Sequence, residues 1–224
     1  MIKKIATGLA LASVCTLSWG APTVHFSDFI SDGARTNFNG FEGIPNDGTH
    51  FTGGSGPYVE GGISVQQING DPGNDIWVTY TFGGQHQGNF SWYPDSGDHG
   101  YTMITRSGGL GFDSIGMLLG SGFGTPSNYF YELLNGGSTV LSGSFGGAFS
   151  AYLGFSGGGF DTILLADCSG CDATTTTLTD GHYNALALDS IELTGAGGTI
   201  PEPGSLALVA AGLFGLGSLR RRVI

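Results

Sequence analysis

Apolar and polar residues alternate through much of the middle of the chain. In residues 76–82, Ile76, Val78, Tyr80 and Phe82 fall on one face and Trp77, Thr79 and Thr81 on the other. That period of two is the signature of a strand. Residues 58–60, the pair Gly61-Gly62 and residues 63–65 predict a hairpin. Residues 129–134, a turn at Asn135-Gly136-Gly137 and residues 139–141 predict a second. Further strands are expected at 101–105, 114–119, 151–155, 162–166 and 186–193. No helical period survives between residues 21 and 199. Many short strands with turn signals between them predict an all-β body, a single two-sheet sandwich or jelly roll.

Both ends break this pattern. Lys3 and Lys4 precede an apolar run over residues 5–17. Ser18-Trp19-Gly20 then presents small residues at the two positions a signal peptidase reads, which predicts cleavage before Ala21. At the other end, Pro201-Glu202-Pro203 precedes an uncharged apolar run, 204–219, followed by Arg220, Arg221 and Arg222. As a helix those residues span about 24 Å, against a hydrocarbon core of about 30 Å. Snorkelling arginines and local thinning close the gap, and the basic cluster stays cytoplasmic. The prolines cannot extend the helix backwards, so it begins after them. The expected organisation is a signal peptide (1–20), a Gly-rich β-sandwich (21–199) and a sorting tail with a transmembrane helix (200–224).

The proline–acid–proline elbow, the apolar run and the arginine cluster together resemble a PEP-CTERM sorting signal. The resemblance implies recognition by an exosortase, a membrane-embedded transpeptidase-like enzyme of Gram-negative bacteria. It also implies an inner-membrane intermediate, removal of the tail, and release or attachment at the cell surface. The body is similar to jelly-roll domains that precede such tails. Residues 38–42 and 56–62 resemble their opening segments, and residues 187–193 their closing strand. This second resemblance implies a carbohydrate-binding-like sandwich and carries over no binding residues.

Composition narrows the picture. Glycine fills 43 of 224 positions, nearly three times the usual share of about 7%. There is no Gly-X-Y period, so the glycines mark turns and bulges rather than collagen. Of the 18 acids only Glu202 lies outside the body, and of the seven bases only Arg35 and Arg106 lie inside it. The body is therefore lysine-free, with a net charge of about −15. Such a surface repels nucleic acid, which is bound by neutralising phosphates. It suits an exported protein and attracts cations.

Once the signal peptide takes Cys15 away, Cys168 and Cys171 remain. In an oxidising compartment a small disulfide loop is expected. The alternative, a redox pair, wants its first cysteine at a helix N-terminus. Here Asp167 and Asp172 flank the cysteines and a threonine run follows.

Catalytic motifs are sparse. Ser55, Ser121 and Ser144 each lack a flanking glycine of a G-x-S-x-G elbow, and no H-E-x-x-H pairs two of the five histidines. Glu42, Glu60, Glu132 and Glu192 form a glycosidase pair only if the fold brings two of them to about 5–10 Å. The chain is read as a non-enzyme without a required cofactor. Asn69, Asp71 and Asp75 concentrate oxygen ligands in one turn, open either to calcium or to an Asx turn that bonds its own backbone. Trp77, Trp92 and Tyr93 are the candidate sugar platforms, with the alternative that they cap the core. Two roles follow: a non-enzymatic surface or matrix protein, or a module that binds extracellular polysaccharide. An extracellular hydrolase ranks third.

Overall fold

The computed structural model describes residues 21–43, 51–52, 57–68, 75–76, 88, 90–93, 101–121, 127–147, 150–168 and 186–195. The alternating segments form strands: β1 (Thr23–His25), β2 (Asn37–Asn39), β3 (Phe51–Thr52), β4 (Tyr58–Glu60), β5 (Ile63–Ile68) and β6 (Asp75–Ile76). They continue with β7 (Tyr101–Arg106), β8 (Phe112–Ser121), β9 (Ser127–Asn135), β10 (Ser138–Gly147), β11 (Ser150–Phe160), β12 (Thr162–Cys168) and β13 (Leu186–Thr194). Among the described residues helix is limited to single 3-10 turns such as Asp32–Ala34. Among the described residues no helix is long and apolar enough to cross a membrane. The expected signal peptide and the apolar run 204–219 lie outside those residues.

Two antiparallel sheets face each other. One has the order β1-β11-β8-β13-β2 and the other β10-β9-β12-β7-β5-β4, while β3 and β6 pair separately. The compact unit spans Gly20–Ile200. Both predicted hairpins form. β4 and β5 turn at Gly61 and Gly62, whose φ of 57° and 76° only glycine adopts without strain. β9 and β10 turn at Gly136 and Gly137. Of the strand expected over 76–82 only Ile76 is described, in β6; the rest lies outside the described residues.

The core comes from alternate residues of both sheets. Ile115, Met117 and Leu119 of β8 meet Ile63 and Val65 of β5, Ile104 of β7 and Leu133 of β9 in one apolar cluster. Phe112, Phe155 and Phe160 pack together, with ring centroids 5.5 Å (Phe112–Phe160) and 6.2 Å (Phe155–Phe160) apart. Each such burial stabilises by about 1.5–3 kcal/mol.

One strand changes phase. Leu186 and Leu188 of β13 point inward, and so do Ile191 and Leu193. Strict alternation cannot bury both pairs. The pairing with β8 slips between Asp189 and Glu192, so one residue is extra there. Ser190 takes the strain with a φ of 50°. This is a β-bulge, which re-aims side chains at the cost of an unpaired residue. It keeps both apolar pairs in the core and turns Glu192 to the outer face.

Candidate functional site

The outer face of the five-stranded sheet carries the described pocket. β1 and β2 are consecutive in the chain yet lie at opposite edges of that sheet. Residues 26–36 must therefore cross its outer face as a strap. Below them runs one register row: His25 pairs with Gly154, Gly154 with Gly116, Gly116 with Glu192, and Glu192 with Phe38. The two glycines clear space for the strap and for Tyr152. A Cβ on Gly154 would collide with the Phe29 ring, and one on Gly116 with the Tyr152 hydroxyl. The Phe29 ring stacks on His25 at 4.0 Å and meets Tyr152 edge-on at 6.4 Å.

The strap is held locally. Asp28 Oδ1 accepts the Ile30 N–H at 3.1 Å in an Asx turn. Ala34 N–H donates to the Ser31 carbonyl at 2.8 Å, closing the 3-10 turn. Beyond it, Thr36 N–H donates to the Leu193 carbonyl at 2.8 Å and ties the strap to β13.

Between strap and sheet lies a pocket of about 380 Å³. Asp28, Asp32 and Arg35 line it from above, and Leu118, Tyr152, Ser190 and Glu192 from the sheet. Arg35 Nε lies 3.3 Å from Glu192 Oε2, and its guanidinium carbon sits 4.5 Å over the Phe38 ring. Arg35 also pairs with Asp32, whose side chain is 90% exposed. That exposed pair contributes little. Tyr152 donates its hydroxyl to Glu192 Oε1 at 3.4 Å.

The electrostatics follow from burial. Glu192 is only 9% exposed at its side chain. Burial, and then the Asp28 carboxylate, push its pKa above the usual glutamate value against the pull of Arg35 and the Tyr152 hydroxyl. Burial and Glu192 push the Tyr152 phenol up. Two polar atoms in the pocket wall are left without hydrogen bonds: the buried Ser190 Oγ and Arg35 Nε, whose approach to Glu192 lacks hydrogen-bond geometry. For the Ser190 hydroxyl that state costs about 1–3 kcal/mol.

The residues singled out in the sequence lie elsewhere. Trp92 is 3% exposed and belongs to the core cluster. Its backbone bridges Leu188 of β13, and its Nε1–H donates to Thr102 Oγ1 at 3.1 Å. A sugar platform needs an exposed ring face, so this indole is corrected to a core residue. Tyr93 beside it is half-buried, and Trp77 lies outside the described residues. Cys168 closes β12; Cys171 is not described. Asp75 belongs to β6, paired with Thr52, while Asn69 and Asp71 are not described. Among the described residues no group of three metal-ligating side chains comes together.

Each of the four glutamates has its own hydrogen-bond partners, and Glu42 and Glu60 both act on the Tyr58 phenol. Glu132 on β9 accepts from Thr139 on β10. Glu60 accepts the N–H groups of Gly40 and Gly43, each at 3.3 Å, and the Tyr58 hydroxyl. Glu42 accepts the Phe90 N–H at 3.1 Å. Glu192 alone faces the pocket. Sequence reasoning missed its partners Asp28, Arg35, Tyr152 and Ser190. The one available signal was that Arg35 is one of only two bases in the body.

The fold and its flanking segments define an all-β sandwich body joined to a tail of sorting-signal composition. Residues 199–222 match the PEP-CTERM protein-sorting motif, and the chain carries that motif. Pro201, Glu202, Pro203 and the arginine cluster 220–222 all fall inside the match, outside the described residues. The motif implies processing by an exosortase and marks an exported, envelope-associated protein. No curated protein matches the chain in sequence. Among solved structures, the K1 cleaved adhesin domain of Lys-gingipain from Porphyromonas gingivalis W83 is similar at 10% identity and a TM-score of 0.27. The match covers 71% of this chain and 98% of that one.

Proposed function

We propose that this chain is a non-enzymatic protein of the cell surface or extracellular matrix, delivered there by exosortase processing. The observation that carries the reading is the three-part tail within residues 199–222. Signal peptidase acts first at the N-terminus, and the apolar run 204–219 then holds the precursor in the inner membrane until the tail is removed. The acidic, lysine-free body suits life outside the cell, where its charge keeps it soluble. In that oxidising setting Cys168 and Cys171 close a disulfide.

The test is fractionation of cells with and without the exosortase, together with a variant carrying Pro201→Ala, Glu202→Ala and Pro203→Ala. In wild-type cells the body is recovered from the envelope surface or medium at the mass of a chain without its tail. Without the enzyme, or with the altered motif, it stays with the inner membrane at the precursor mass. Unchanged location and mass in both cases would overturn the reading.

A further inference from the structure

We propose that the pocket beneath the 26–36 strap binds a small hydroxylated ammonium compound, of which a hexosamine unit with a free amine is the fitting class. This goes beyond the sorting reading and does not depend on it. Four features of the pocket carry the inference.

The first is size: about 380 Å³, toward the small end of ligand pockets, which run from about 300 to 1,000 Å³. That range admits one sugar ring. The second is charge. Asp28, Asp32 and Glu192 face a single guanidinium, that of Arg35. The carboxylates exceed the cation, so the pocket favours a ligand cation and disfavours a sugar acid or phosphate. The body has no lysine side chain to fill it.

The third is the unspent hydrogen-bonding capacity. Ser190 lines the pocket, is 6% exposed, and has a buried hydroxyl with no partner. Arg35 Nε is also buried without a hydrogen bond, its neighbour being the Glu192 carboxylate at 3.3 Å. Buried polar groups without partners are uncommon in folded proteins. A ligand bearing several hydroxyls supplies both donors and acceptors to such groups; a simple metal ion supplies no donor. The fourth is backbone strain. Ser190 is a non-glycine residue at φ 50°, on the bulge that aims Glu192 outward. Strain of this kind clusters at functional sites, where surrounding structure holds it.

In the bound state the ammonium sits among Asp28, Asp32 and Glu192, and ring hydroxyls bond Ser190 and Arg35. Tyr152 supplies the one aromatic wall, against which the apolar side of a sugar ring packs.

The experiment is calorimetric titration of the full chain in a sugar-free detergent at neutral pH. Glucosamine, glucose, N-acetylglucosamine and glucuronate are compared. Glucosamine is expected to bind at least about tenfold more tightly than glucose or N-acetylglucosamine, and glucuronate not to bind. Glu192→Gln and, as a second variant at an exposed position, Asp28→Asn should each weaken glucosamine binding by about tenfold. Glu132→Gln removes the same charge from the other sheet and should leave binding unchanged. Equal affinity for glucose and glucosamine, absence of glucosamine binding, or binding unaffected by both pocket variants would each overturn the proposal. None of these outcomes bears on where the chain is delivered, so this idea and the sorting reading fail separately.

Discussion

The body contains two tyrosine–glutamate pairs built from the same groups and put to different ends. Tyr58 donates to Glu60, and Tyr152 donates to Glu192. Burial and the neighbouring carboxylate raise both phenols. The difference lies in what else each carboxylate holds. Glu60 accepts two backbone N–H groups, from Gly40 and Gly43, and so clasps the 40–43 turn to the β4–β5 hairpin. Glu192 has a long contact to Tyr152 and a guanidinium outside hydrogen-bond geometry, and it faces a pocket. A carboxylate that bonds backbone amides stabilises a turn. One left partly satisfied beside a cavity has capacity to spare for a ligand.

That contrast breaks most sharply at Glu60. Glu60→Ala leaves two amides and a phenol without their acceptor, and about 3 kcal/mol of stability should be lost. Urea melts of the two proteins read this directly, and a midpoint within error of wild type would mean that the clasp does not hold the turn. The tyrosines come next. Tyr58→Phe should cost about 1 kcal/mol, and Tyr152→Phe, whose bond to Glu192 is 3.4 Å long, about half as much. Thermal melts that rank them the other way would erase the distinction between the pairs.

The smallest expected effect is a slope with pH. Burial raises the folded-state pKa of Glu192 above its unfolded value. The native state then holds the proton more tightly, so this group favours folding at low pH. The contribution is lost as pH rises from the ordinary glutamate range, about 4.3, through the raised folded value. Glu192→Gln should remove that fall and flatten stability against pH over this window. Melting temperatures across the window, compared between the two proteins, check it; parallel curves would count against a shifted Glu192.

Much of the fold was legible because period-two alternation is local. The hairpin at Gly61-Gly62 and the one at Gly136-Gly137 each declare themselves through turn glycines between apolar runs. The strand near residue 190 was legible only in outline. Its apolar residues fall out of phase, Leu186 and Leu188 against Ile191 and Leu193, and no rule of local pattern says where the slip is absorbed. Burial of both pairs against the opposite sheet decides it, at Ser190. Trp92 was open to two readings, platform or core, for a related reason. Its Phe-Ser-Trp-Tyr-Pro setting reads as an aromatic loop, yet a two-bond bridge to Leu188 draws it into the core. The pocket was the least legible element. Asp28, Arg35, Tyr152 and Glu192 are scattered over more than 160 positions and meet only because β1 and β2 take opposite edges of one sheet.

By itself, then, the sequence determined what rests on short-range chemistry. The sorting motif is contiguous, so it is recognised from the sequence without waiting for a fold. Strand propensity, turn glycines and the lysine-free acidity of the body are likewise written residue by residue. The tertiary structure alone decided which polar groups meet. A strap laid across the sheet, two glycines with no side chain beneath it and one bulge turn a distant arginine and a buried glutamate into neighbours, because the apolar faces must close first and the polar residues take the positions that closure leaves.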